Sequence, residues 1–162
     1  MTYQITLHVN SVPYPLNVDP HATLLRVVRE QVGLTGSKEG CDDSECGACM
    51  MLIDGQPVNS CSYLAVQADG AEITTVEGLA TGDKLAPLQK AFLTQGGVQC
   101  GFCTPGMLIS ATKLLEDNVD PTPDQVKLAI SGNLCRCTGY DGIVQAVLEI
   151  ASAGGATSTH GD

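Results

Sequence analysis

The sequence predicts an α+β fold in which a β-rich half, ending near residue 77, precedes an all-helical half. Segments that alternate apolar and polar residues fill the first half, and segments with helical spacing of apolar residues fill the second half. Each half also contains four of the eight cysteines. The 162 residues are 43% hydrophobic, so the chain can form one larger core or two small ones.

The first elements are predicted to be two strands and a short helix. Residues 4–9 alternate polar and apolar side chains, and residues 12–18 follow a turn as a second strand whose two prolines indicate a sheet edge. Thr23 can cap the apolar-periodic segment after it, which ends near Gly33. This part of the chain is therefore predicted to place one helix beside a strand pair.

A hairpin is predicted next. Asp54 and Gly55 form a two-residue turn signal between residues 50–53 and residues 56–59. Residues 73–76 predict one further short strand before the composition changes.

The second half is predicted to be helical throughout. Pro105 suits the first turn of a helix, and Thr122, Pro123 and Gln125 have the residue types of a capping box with a first-turn proline. The small, polar residues 154–162 predict a flexible tail. The predicted helical segments are residues 85–95, 107–115, 123–131 and 143–151.

Charge and composition exclude several classes of protein. Eight Lys and Arg stand against 18 Asp and Glu, and the net charge of −10 argues against a nucleic-acid partner. Residues 1–9 show no signal peptide, and no apolar run is long enough to span a bilayer. We therefore expect no membrane span and a cytoplasmic location, with export alongside a signal-bearing partner as the alternative.

The first cysteine group has the spacing C-x4-C-x2-C followed by a fourth cysteine, which is typical of a plant-type [2Fe–2S] site. Three thiolates must converge from one loop, so the backbone has to wrap closely, and Gly40 and Gly47 are expected to supply positive φ angles. Amide groups of the loop can then donate hydrogen bonds to the sulfurs. The group comprises Cys41, Cys46, Cys49 and Cys61.

The second group consists of two cysteine pairs, and its spacing alone leaves the metal open. Either a second cluster or a zinc ion could bind there, although a C-x-C pair is tight for tetrahedral zinc. One pair precedes the helix that contains Pro105, and the positive end of a helix favours an anionic thiolate cluster. The group comprises Cys100, Cys103, Cys135 and Cys137.

Two other interpretations of the cysteines stay open at this point. Eight cysteines could form four disulfides in a secreted domain, or they could form two zinc sites. The clustering of the cysteines in loops, together with the absence of a signal peptide, argues against disulfides.

Three segments together carry a resemblance to a known family. They are residues 41–49 (CDDSECGAC), 99–107 (QCGFCTPGM) and 132–140 (GNLCRCTGY). In this order they resemble the iron–sulfur small subunit of the xanthine oxidase (molybdenum hydroxylase) family, over about residues 3–152. The chain departs from the commonest pattern at Met50, where family members often have Thr. That position ligates no iron, so the departure leaves the cluster assignment intact.

The resemblance implies a more specific fold. Residues 1–77 would form a β-grasp, plant-type ferredoxin-like domain, and residues 78–153 would form an all-α four-helix [2Fe–2S] domain. This division matches the change from strands to helices in the sequence.

The resemblance also implies roles for the cysteines and Gln99. Gln99 and Cys137 match positions that contact the molybdopterin in this family. Arg136 lies between two ligands and could raise the cluster potential or form a surface salt bridge. The flavin-proximal cluster would be held by Cys41, Cys46, Cys49 and Cys61, and the molybdenum-proximal cluster by Cys100, Cys103, Cys135 and Cys137.

The implied assembly is a multi-subunit oxidoreductase. A large subunit would carry the molybdopterin-type molybdenum cofactor, a medium subunit would carry FAD, and the complex would form a dimer of heterotrimers. The acidic loop at residues 42–45 resembles members that partner a flavin subunit, whereas a related branch lacks the flavin and passes electrons to a cytochrome.

This chain itself is expected to transfer electrons and to contain no catalytic residue. No Ser/His/Asp set or carboxylate pair stands out, and His8, His21 and His160 are scattered. A free-standing ferredoxin-type carrier is the alternative, although such a carrier would not need the helical half.

Overall fold

The computed structural model describes residues 1–154, so the tail predicted for residues 154–162 lies almost wholly outside the described residues. A five-stranded mixed sheet has the order β2-β1-β5-β3-β4. β1 pairs parallel with β5, and the other neighbouring strands are antiparallel. The strands are β1 (Tyr3–Val9), β2 (Val12–Val18), β3 (Met50–Ile53), β4 (Gln56–Asn59) and β5 (Glu72–Thr74).

The predicted strands form, with one shift of boundary. β2 lies at the sheet edge, as its prolines indicated, and Asp54 and Gly55 turn with φ angles of 49° and 75°. β5 ends at Thr74, earlier than predicted, because the Thr75 N–H donates to the side chain of Asn10 at 3.0 Å. The chain then makes a 3₁₀ turn at Val76–Leu79.

Two helices begin at the predicted caps, Thr23 and Thr122. The Thr23 hydroxyl accepts from the Arg26 N–H at 3.3 Å, and the π-helical turn after α1 ends at Gly33 with φ of 85°. In the predicted capping box, the Thr122 hydroxyl accepts from the Gln125 N–H at 3.4 Å, and the Gln125 side-chain oxygen accepts from the Thr122 N–H at 2.8 Å. The helices are α1 (Leu24–Val27, continued by the π-helical turn Val28–Val32), α2 (Pro87–Thr94), α3 (Thr104–Asp117), α4 (Pro123–Ala129) and α5 (Asp141–Ser152).

β3 is buried on both faces and joins two hydrophobic cores. Successive side chains of a strand point to opposite faces, so Met51 and Ile53 pack with α1 while Met50 and Leu52 pack with α2–α5. The helical half thus covers the sheet face opposite α1. No helix among residues 1–154 has the length and apolar character needed to cross a bilayer.

Candidate metal centres

The β3–β4 hairpin places two cysteines of the first group side by side. Its register pairs Met50 with Asn59, so Cys49 before β3 and Cys61 after β4 lie at the same end of the sheet. Both residues are buried. Burial raises the pKa of the Cys49 thiol to about 12, and a neutral thiol there has to lose its proton when a metal binds.

The other two cysteines of this group lie on a tightly wrapped loop. Gly47 has the predicted positive φ, at 70°, but Gly40 does not. Gly40 instead permits a close approach, because a Cβ there would lie 2.8 Å from the Cys46 sulfur. Asp42 and Ser44 supply further positive φ angles, at 59° and 67°, and short polar residues tolerate that conformation best after glycine.

Backbone donors of the loop point at sulfur, as predicted for this loop. The Cys46 N–H donates to the Cys41 sulfur at 3.4 Å. A side-chain hydrogen bond with Asp43 acts to raise the pKa of Cys41, but backbone N–H groups of Asp43 and Cys46 outweigh it and the pKa lies below the ordinary thiol value. These backbone groups therefore favour the thiolate form of Cys41, whereas burial raises the pKa of Cys46 in the same loop.

The second group lies where loops meet the ends of α3, α4 and α5. Cys103 is the N-cap residue of α3, while Cys135 and Cys137 lie between α4 and α5. Burial, followed by the neighbouring Cys135, raises the pKa of Cys103 to about 12. Cys100 and Cys137 are exposed, so this group opens towards the surface.

The half-buried Cys135 is surrounded by hydrogen-bond partners from Thr138 and Tyr140. Its sulfur lies 3.1 Å from the Thr138 hydroxyl and 3.5 Å from the Thr138 N–H, and its own N–H donates to the Tyr140 hydroxyl at 2.8 Å. Burial acts to raise the pKa of Cys135, but the donors of Thr138 outweigh it and the pKa falls to about 7. Sequence reasoning assigned no role to Thr138 or Tyr140, although both lie within the third motif.

The eight thiols are free, and their interactions with one another stay within each predicted group, where each thiol interacts most strongly with one partner. A [2Fe–2S] cluster bound by four cysteines needs two thiolates at each iron, so this two-by-two arrangement suits two such clusters. The facing pairs are Cys41 with Cys46, Cys49 with Cys61, Cys103 with Cys135, and Cys100 with Cys137.

A single metal ion fits the thiols less well. Across residues 1–154, no three His, Cys, Asp or Glu side chains converge on a point that could hold one ion. Tetrahedral zinc requires that convergence, whereas a dinuclear cluster spreads its ligands over two irons. The pairwise arrangement of the thiols therefore suits a dinuclear cluster better than a single zinc ion.

The two residues proposed to contact the molybdopterin, and the arginine between two ligands, are open to solvent. Gln99, Arg136 and Cys137 are all exposed. Within the described part of the chain, Arg136 makes no ion pair. Phe102 and Leu134 adjoin proposed cysteine ligands in the sequence, and their large apolar side chains are 46% and 57% exposed.

One backbone hydrogen bond joins the two cysteine groups. The Leu134 N–H donates to the Cys46 carbonyl oxygen at 2.9 Å, and Leu134 is bonded directly to Cys135. Beside it, the buried Asn133 donates to the Gly47 carbonyl at 3.1 Å. Asn133 is not among the candidate residues predicted from the sequence, although it lies within the third motif.

Family models match both halves of the chain. Residues 7–80 match the model described as a 2Fe-2S iron-sulfur cluster binding domain, and residues 75–148 match the model described as a [2Fe-2S] binding domain. The chain is thus an iron–sulfur protein with two [2Fe–2S]-binding domains.

Similar proteins narrow this class to one family. The nicotinate dehydrogenase small FeS subunit of Eubacterium barkeri is 49% identical over 88% of this chain and 91% of its own length. The xanthine dehydrogenase iron-sulfur-binding subunit of Escherichia coli O157:H7 is 45% identical over 91% and 94%. The crystal structure of quinoline 2-oxidoreductase from Pseudomonas putida 86 matches with a TM-score of 0.89 and 47% identity, over 94% of this chain and 98% of the matched one.

The chain belongs to the iron–sulfur small subunits of the xanthine oxidase (molybdenum hydroxylase) family. It is therefore a subunit of an oxidoreductase and has an electron-transfer role.

Proposed function

We propose that this chain relays electrons between a molybdopterin site and FAD in partner subunits, through two [2Fe–2S] clusters. When bound, each cluster takes up and releases one electron at a time. The chain contributes the ligands, the hydrogen bonds to sulfur and the spacing between the two sites. The substrate chemistry takes place in another chain.

The ligand assignment carries over from the sequence. Cys41, Cys46, Cys49 and Cys61 hold the flavin-proximal cluster, and Cys100, Cys103, Cys135 and Cys137 hold the molybdenum-proximal cluster. Gln99 and Cys137 contact the molybdopterin, and their exposure supports a role at a subunit interface.

The observation that carries the proposal is the backbone hydrogen bond from the Leu134 N–H to the Cys46 carbonyl oxygen. A path from one ligand set to the other runs from Cys46 across this hydrogen bond and along one peptide to Cys135. Two sites joined so directly suit a relay better than two independent structural metals.

Exposed apolar residues support a subunit over a free carrier. Phe102 and Leu134 lie beside the ligands of the second group, and Leu93 is 57% exposed in the helical half. Apolar side chains that are exposed beside the ligands are candidates for burial against a partner subunit. We propose that a large molybdenum subunit covers this face and that a medium FAD subunit binds near the first cluster, in a dimer of heterotrimers in the cytoplasm.

The proposal includes the finer division of the fold. Residues 1–77 form the β-grasp ferredoxin-like domain, and residues 78–153 form the four-helix cluster domain. The two hydrophobic cores, one between the sheet and α1 and the other among α2–α5, support this division.

Metal analysis and electron paramagnetic resonance test the proposal. The full chain, reconstituted with iron and sulfide, is expected to bind about four irons per chain and to show two distinguishable signals when reduced. Two irons, one signal, or zinc in place of iron would contradict the proposal. A brown protein that stays monomeric and binds no partner subunit would favour the free ferredoxin instead.

A further inference from the structure

The buried side chain of Asn133 ties the two ligand loops together. Asn133 is 2% exposed and lies two residues before Cys135. Its Nδ2 donates to the carbonyl oxygen of Gly47, which follows the ligand Cys46, at 3.1 Å. One side chain thus connects the loop of the first cluster to the loop of the second.

A third element holds this amide in place. Ser110, in the second turn of α3, donates to the Asn133 Oδ1 at 2.7 Å and is itself 5% exposed. The oxygen end of the Asn133 amide is bound to a rigid helix, and the nitrogen end is bound to the cluster loop. Because buried amides pay a large desolvation cost when unpaired, both ends favour this one orientation.

The packing around Asn133 leaves almost no free space. A Cβ on Gly47 would lie 2.5 Å from Asn133 Nδ2 and 2.4 Å from the Gly132 carbonyl oxygen. A Cβ on Gly106, in the first turn of α3, would lie 2.0 Å from the Gly47 carbonyl oxygen. Two glycines therefore allow the loop, α3 and the Asn133 segment to meet at backbone contact distance.

We infer that Asn133 is a positioning residue that sets the separation of the two clusters and hence the rate of electron transfer between them. The inference rests on the proposed function, since it requires both clusters. Electron tunnelling falls steeply with distance, so a loop that moves by a fraction of an ångström changes the rate while every ligand is retained. The Leu134–Cys46 hydrogen bond depends on the same alignment.

Asn133→Leu is the main test because it should fold. Leucine branches at Cγ as asparagine does and is larger, so it leaves no cavity, and the groups left behind have other partners. The Gly47 carbonyl also accepts from the Met50 N–H at 3.2 Å, and the Ser110 hydroxyl lies 2.8 Å from the Met50 sulfur. The variant therefore removes the link and leaves no group newly stranded.

The matched control is Asn118→Leu, the same chemical change elsewhere in the helical half. Asn118 ends α3, is half-buried, and donates to the Gln125 side chain at 3.3 Å. It touches neither cysteine loop. Ser110→Ala is a second, milder variant that frees Oδ1 of Asn133 but keeps its bond to Gly47.

The measurements are made on the full chain reconstituted with iron and sulfide. Asn133→Leu is expected to keep about four irons and to slow inter-cluster electron transfer, after rapid one-electron reduction, by about two- to threefold. It should also weaken the magnetic splitting between the two reduced clusters, which falls with the cube of their distance. Ser110→Ala should shift both quantities in the same direction by less, and Asn118→Leu should leave them unchanged.

Each outcome decides the inference. Wild-type rate and splitting in Asn133→Leu would overturn it, and so would equal losses in Asn118→Leu. If Asn133→Leu binds no iron, the result for Ser110→Ala decides, and an unchanged splitting there counts against the inference. A wild-type chain without two reducible clusters would instead overturn the proposed function.

Discussion

Thr138 gives the Cys135 sulfur two hydrogen-bond donors from a single residue. Its hydroxyl lies 3.1 Å from that sulfur and its N–H lies 3.5 Å away. Donors to sulfur stabilise the reduced, more negative cluster, so they raise its reduction potential. The same donors lower the pKa of the free Cys135 thiol to about 7, because they stabilise negative charge on its sulfur.

Thr138→Val is predicted to lower the potential of the second cluster. Valine keeps the shape and the N–H but removes the hydroxyl donor. If that bond favours the reduced cluster by about 1 kcal/mol, its loss corresponds to about 40 mV for a one-electron couple. A redox titration followed by paramagnetic resonance measures the change, and the potential of the first cluster should stay constant.

Thr104→Val is the matched control for this prediction. Thr104 follows the ligand Cys103 in the same way, but its buried hydroxyl finds no hydrogen-bond partner within residues 1–154. Its removal should leave the potential unchanged. An equal shift in both variants would show that the effect comes from packing and not from the donor.

At this scale the sequence identifies candidate ligands, but it does not identify the residues that support them. The cysteine spacing is a direct requirement of the cluster, so all eight candidates could be named. The positive φ angles of Asp42 and Ser44 escaped prediction because many residues of this type adopt ordinary conformations. The role of Asn133 could not be predicted because its hydrogen-bond partner Gly47 lies 86 positions away in the chain.

Helix α3 shows how closely the two halves approach one another. Its first turn contacts the cluster loop at Gly106, where a side chain would meet a backbone carbonyl and could not be moved aside cheaply. Glycine normally weakens a helix, so its presence there is explained by this contact and not by helix propensity.

Gly106→Ala is predicted to destabilise the chain. Alanine gains about 1 kcal/mol of helix propensity at most, whereas overpacking costs about 1–3 kcal/mol. The 2.0 Å approach to the Gly47 oxygen places the cost at the upper end of that range. The midpoint of thermal unfolding should fall by about 2–4 °C for each net kcal/mol lost.

Gly132→Ala tests whether crowding is the cause. Gly132 belongs to the same junction, but an added Cβ would meet no atom within 4 Å. Its thermal midpoint should stay close to that of the wild type. A drop as large as that of Gly106→Ala would show that any change in this segment destabilises the fold.

At the scale of elements, local signals explain what could be predicted. The Asp54–Gly55 turn and the Thr122 capping box depend on neighbouring residues only, and both form as expected. The end of β5 could not be predicted, because it is set by a bond from Thr75 to the distant Asn10. The residues of β3 are all apolar, which is consistent with burial of both faces of the strand. That burial could not be predicted, because it depends on the helices that cover the second face.

Over the whole molecule, two cores share one strand. The sheet and α1 form one core, α2–α5 form the other, and β3 contributes side chains to both. Each core carries one group of four thiols at its edge. Loss of one cluster should therefore leave the other half folded and its cluster in place.

Cys100→Ser is predicted to remove the second cluster selectively. Cys100 is exposed, so serine there should have little effect on the stability of the core. One iron of the second cluster, however, loses a thiolate ligand. About two irons should remain per chain, with the signal of the first cluster retained and turnover of the assembled enzyme blocked. Cys41→Ser is the mirror control, since it should remove only the signal of the first cluster. Loss of both signals in either variant would show that the halves fold as one cooperative unit, and unchanged turnover in Cys100→Ser would contradict the relay.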